Sequence, residues 1–109
     1  MANSTNWDRR SVNESLHYRA SEADIRYREC LSRVKERVAY RAFADEASAK
    51  LAVYEYLLNR PFLESREQLL SALRDMTAME APNMQAFDHA QFSNFWTATI
   101  RGLIIEFDR

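Results

Sequence analysis

The sequence predicts an all-α fold, a small and mostly antiparallel bundle of about four helices, and three observations predict it. Glycine and proline are nearly absent, with Gly102, Pro61 and Pro82 the only examples in 109 residues. Sheet proteins need those residues in tight turns, and phosphate-cradling loops need glycines in clusters. The commonest residues are helix formers: alanine (15 residues), leucine, glutamate and arginine. Apolar side chains also recur at spacings of three and four, the period of a helix with one buried face. A length of 109 residues with 47% hydrophobic content suits one core, since two would each be too small to stand alone. Residues 1–10, polar apart from Trp7, read as a loose arm ahead of a single domain over 11–109.

The first helix is expected over about 11–43. Val12, Leu16, Ala20, Ala23, Tyr27, Leu31, Val34, Val38 and Ala42 keep one phase at ~100° per residue and form a single stripe. Ser11 with Glu14 has the capping-box pattern at its start, and Ser21 with Asp24 offers a later one. Ala47, Leu51, Tyr54 and Leu58 form a new stripe on nearly the opposite side, so a break is expected at Ala44-Asp45-Glu46 with Asp45 as N-cap. The second helix then runs over about 46–59 and stops ahead of Pro61, which disfavours helical geometry in the residue before it. A third, about 65–79, opens on Ser65 and Gln68, buries Leu69, Leu70, Leu73 and Met76, and closes at Ala81-Pro82-Asn83. The fourth, about 88–107, opens on Asp88 and Gln91 and buries the face carrying Phe92, Phe95, Trp96, Ile100, Leu103, Ile104 and Phe107.

Catalytic chemistry finds little material. Two histidines and one cysteine leave few metal ligands. Glu14 and His17 have Glu-x-x-His spacing, but a di-iron bundle needs that motif twice, and Ala86 stands where His89 would need its glutamate. Adjacent Asp88 and His89 would point ~100° apart on a helix, so Asp88 cannot orient the imidazole. Cys30 reads as a packed small hydrophobe, with a thiol activated by Arg26 and Arg33 as the sharper alternative. No cofactor or metal is expected, and the chain is expected not to be an enzyme. A single cysteine, no basic-then-apolar leader and no apolar run near the ~20 residues of a membrane span make cytoplasmic the expected location.

Charge is more informative. Net charge is −1, yet 13 of the 15 basic residues are arginine. A GC-rich genome would give that bias, and so would a protein interface, where the planar guanidinium desolvates and pairs readily. Residues 1–41 carry nine basic and six acidic side chains, whereas 42–109 carry six and ten. Arg19, Arg26, Arg33 and Arg37 border one side of the first stripe and Arg28 and Lys35 the other, with Glu22, Glu29 and Glu36 expected on the face away from it. The bland reading pairs Glu22 with Arg26 and Glu29 with Arg33 on a solvated surface, at a few tenths of a kcal/mol each. The functional reading is a partner-binding surface of Ile25, Arg26, Arg33, Arg37 and Tyr40, because Ile25 and Tyr40 fall outside the buried stripe, as do Tyr56 and Ile105. The expectation is a protein-binding module, a regulator, inhibitor or chaperone-type accessory of bacterial or phage type, assembling as a homodimer. The alternative is nucleic-acid contact through the arginine border.

Overall fold

The computed structural model describes residues 8–60, 63–82 and 85–109. Among these residues four helices follow one another: α1 (Arg9–Arg33), α2 (Ala39–Leu58), α3 (Arg66–Thr77) and α4 (His89–Phe107). No strand occurs among the described residues. The all-α bundle of four helices is therefore as the sequence predicts. Residues 1–7 of the expected arm, Pro61 and Asn83 lie outside the described residues, while Arg9 and Arg10 already belong to α1.

The start of α1 is set by Asp8, whose carboxylate accepts the Arg10 N–H at 3.0 Å and the Ser11 hydroxyl at 2.9 Å. The Ser11 hydroxyl is the main cause of an Asp8 pKa below its ordinary value. The cap is thus charged at neutral pH and is lost as the pH falls through that depressed value. The Ser11–Glu14 box does not form, because Ser11 serves Asp8 and Glu14 pairs with Arg10 at 3.2 Å. At α3 the expected cap does form: the Ser65 hydroxyl accepts from the Gln68 N–H at 3.2 Å, and Gln68 Oε1 accepts from the Glu64 N–H at 2.7 Å. Asp88 likewise caps α4, accepting from Ala90 and Gln91.

The first two helices part earlier than the sequence indicates. The chain turns back at Val34–Val38, where the Glu36 and Arg37 N–H groups both bond to the Arg33 carbonyl. Val34 and Val38 keep the phase of the α1 stripe, which disguises the turn, yet Val38 is 69% exposed. Folding back there lays the small side chains Ala44, Ala47, Ser48 and Ala52, all buried, along the hairpin, and small residues permit close helix approach. Asp45 is consequently not an N-cap. It lies inside α2, 2% exposed, and accepts the Phe87 and Asp88 N–H groups at 2.9 and 2.8 Å.

The contacts fix an up-and-down order. Arg33 meets Tyr40 and Arg26 meets Phe43, so α1 and α2 are antiparallel. Asp45 meets Phe87 and Tyr56 meets Trp96, so α2 and α4 are parallel. Arg66 donates to the Arg109 carbonyl, so α3 opposes α4. The core joins Leu16 and Ala23 to Val53, Leu57, Leu69, Leu73, Met76, Phe92, Trp96, Ile100 and Leu103. Tyr56 belongs with it, half-buried and edge-on to Trp96 at 6.4 Å, contrary to the expectation that it is exposed. Trp96 Nε1 has no hydrogen-bond partner among the described residues. An unpaired N–H costs about 1–3 kcal/mol, against about 5 kcal/mol from burying some 200 Å² of indole, so the ring still stabilises.

Two substitutions check this packing in urea unfolding followed by circular dichroism. Trp96→Ala is expected to lose about 3–5 kcal/mol. Asp45→Ala is expected to lose about 2–4 kcal/mol, because two N–H donors lose a charged acceptor, and Asp45→Asn to recover part of that loss. Parent-like stability of Asp45→Ala would mean that the α2–α4 link does not hold the fold.

Candidate protein-docking surface

Between Cys30 and Ala44 no side chain is fully buried. This interval is the tip of the α1–α2 hairpin. Since α4 begins beside Asp45, the stretch Gln85–Asp88 is what runs near the tip among the described residues outside the hairpin. Large exposed apolar side chains gather about this end, Leu31, Val38, Phe43 and Phe87, with Ile25 (52% exposed) below it on α1; among the described residues Tyr18, Met79 and Ile105 are exposed elsewhere.

Arginines lie on the aromatic rings of the same region. Arg26 stands 5.7 Å from the Phe43 ring centroid, Arg33 5.9 Å from Tyr40, and Arg41 5.7 Å from Phe87. Tyr40 and Phe43 meet edge to face at 5.8 Å, so the first two stacks are continuous. The Tyr40 hydroxyl beside Arg33 raises the guanidinium pKa further above its ordinary value, and the group stays charged. The pairs Glu22–Arg26 and Glu29–Arg33 of the bland reading are not among the ion pairs formed by the described residues. The i,i+4 pairs present are Arg10–Glu14, Asp24–Arg28 and Glu46–Lys50. Arg26 and Arg33 have turned to the rings of α2.

The five residues singled out from the sequence thus share one end of the molecule, by a different route from the one expected. Ile25, Arg26 and Arg33 are on α1, Arg37 is in the turn, and Tyr40 is on α2 rather than on the first helix. Phe43, Leu31 and Phe87 join them. Leu31 is concealed in the sequence because it keeps the phase of the buried stripe, and Phe87 because it stands just before a cap. One expectation about charge needs correction: Glu22 and Glu29 do not segregate, but line a groove of about 370 Å³ with Arg19, Ile25, Arg26 and Tyr54. On the other side of the buried Ala23–Cys30 line, a second groove of about 370 Å³ is lined by Tyr27, Leu31, Asp45, Gln85, Ala86 and Phe87.

The remaining candidates carry no assembled chemistry. Glu14 and His17 are exposed, Cys30 is buried, and His89 opens α4 with its ring 6.1 Å from Phe92. No cluster of three potential metal ligands occurs among the described residues, and none of their helices is long and apolar enough to cross a membrane. No protein-family model, curated protein or solved structure matches the chain.

The stacks are measurable. A double-mutant cycle on Arg26→Ala and Phe43→Ala is expected to give a coupling of about 0.5–1 kcal/mol in unfolding free energy. Strict additivity of the two losses would mean that Arg26 is merely solvated.

Proposed function

We propose that this chain is a non-enzymatic helical interaction protein that covers or recruits another protein through the tip of its α1–α2 hairpin. The observation that carries the reading is the gathering of Leu31, Val38, Phe43 and Phe87 about an end where no side chain between Cys30 and Ala44 is fully buried, with Ile25 exposed below it on α1. Exposed apolar groups clustered on a small domain mark contact surfaces, and arginine with aromatic residues is the composition enriched at them. A regulator, inhibitor or chaperone-type accessory protein of a bacterium or phage fits that description.

Nucleic-acid contact is the second reading. It draws on residues 26–41, which hold six cationic side chains against two carboxylates. It is weakened by Tyr40, Phe43 and Phe87, which each have a guanidinium over the ring and so only one face free for a base. Glu22 and Glu29 beside Arg26 would also meet phosphate unfavourably. Pairing of two copies tip to tip, one form of the homodimer, is opposed by the same excess of like charge.

A photo-crosslinking residue at position 25 or 43, used in the source cell, is expected to trap one protein that position 18 or 105 does not. Against that protein, Ile25→Ala or Tyr40→Ala should weaken binding by about 1–3 kcal/mol with the fold intact by circular dichroism. Crosslinks to nucleic acid alone, or equal trapping from all four positions, would remove the proposal.

A further inference from the structure

The two sides of the hairpin tip differ in the chemistry they offer. On the side of Arg26 and Phe43, the groove mixes Arg19 and Lys50 with Glu22 and Glu29. On the side of Leu31, it is apolar except at Gln85 and Asp45, with Tyr27, Ala86 and Phe87 beside Leu31. Asp45 is already satisfied, because its two oxygens each accept a backbone N–H. The nearby carboxylates are committed as well: Asp24 pairs with Arg28 at 3.2 Å, and Asp88 caps α4. The cations are less constrained. Arg41 lies over the Phe87 ring at the groove's edge, and Lys35, four residues beyond Leu31 in the chain, forms no ion pair among the described residues, whereas Arg28 is held by Asp24. A guanidinium on an aromatic face keeps its N–H edge for a carboxylate, which it can hold in bidentate fashion.

We infer that the groove between Leu31 and Phe87 receives a large apolar side chain from an acidic amphipathic segment of the partner protein, with Asp or Glu on either side of that anchor. The inference rests on the proposed protein-docking role of the tip and adds where the anchor seats and what charge surrounds it. The argument is charge complementarity. Residues 24–45 carry six cations against four carboxylates, and Lys35 and Arg41 form no ion pair among the described residues, which disfavours a second copy of the tip and favours an acidic occupant. The apolar lining favours a side chain over a phosphate backbone, and a volume of about 370 Å³ accommodates one leucine, phenylalanine or tryptophan.

The test uses the full chain and a phage-displayed library of random 16-residue peptides. Enriched sequences are synthesised with a fluorescent label and titrated by anisotropy. The expected result is enrichment of peptides with one large apolar residue flanked by Asp or Glu. Their affinity should fall at least tenfold with Leu31→Ala or Phe87→Ala and at least fivefold with Arg41→Glu, and be unchanged with Tyr18→Ala or Ile105→Ala. Leu31 and Phe87 are 37% and 47% exposed, so their truncation leaves the core intact, and circular dichroism checks this. Basic enriched peptides, or no enrichment, would overturn the inference. Loss of binding with Ile25→Ala and Phe43→Ala but not with the Leu31 and Phe87 variants would overturn it while leaving the tip as the docking surface. Binding lost only with Tyr18→Ala or Ile105→Ala would remove both. Saturable binding of a DNA duplex or of phosphatidylglycerol vesicles in place of any peptide also counts against it.

Discussion

Asp45 joins α2 to the entry of α4, more than forty residues away in sequence, by accepting the N–H groups of Phe87 and Asp88. A carboxylate removed from water costs several kcal/mol unless its oxygens are bonded. Here the donors are the backbone groups just ahead of a helix, where the helix dipole also favours negative charge. The contact does more than satisfy a buried charge. By tying the start of α4 to the level of Asp45, it decides where the bundle stops. Trp96 then falls opposite Tyr56, and the apolar face of α4 lies on α2 and α3. Among the described residues, the hairpin above Asp45 has the short stretch before α4 beside it.

The tip therefore has to be held by something other than a core. Arginine over aromatic rings takes that place, with Arg26 on Phe43 and Arg33 on Tyr40 bridging α1 to α2. Each such contact contributes about 0.5–1 kcal/mol where solvent has access, far below the 2–5 kcal/mol typical of a buried leucine. Local stability should thus decline from the Trp96 region towards Val38. The same contacts keep apolar rings partly covered, which limits the exposed hydrophobic area.

Much of the fold was legible in the sequence, for reasons particular residues make plain. The α3 and α4 caps, Ser65 and Asp88, act locally, and a local signal survives whatever the rest of the chain does. Leu69, Leu73, Phe92 and Trp96 are buried because their spacing leaves one apolar face. The hairpin turn was not legible. It contains neither glycine nor proline, and Val34 and Val38 continue the α1 phase, so nothing local marks it. Its position is a tertiary decision, made by the small side chains of α2 and by the Asp45 link across the fold. For the proposed docking surface, the sequence pointed to Ile25, Arg26, Arg33, Arg37 and Tyr40 through charge and phase. It could not point to Leu31 or Phe87, whose proximity depends on that same link.

Arginine bias acquires a physical meaning at this end of the molecule. Arg26, Arg33, Arg41 and, further along, Arg60 each lie within 6 Å of a ring centroid. A lysine there would bring a compact, strongly hydrated charge to an aromatic face, and would lose its water to do so. The flat guanidinium is weakly hydrated on its faces and keeps donors along its edge. It can cover a ring and hold a carboxylate at the same time, whereas an ammonium has no flat face to stack. Codon preference accounts for arginine anywhere in a chain, but it does not place arginines over rings. At Arg26, Arg33 and Arg41 the choice of cation is therefore part of how the hairpin tip stays folded without a core and still offers positive charge outward.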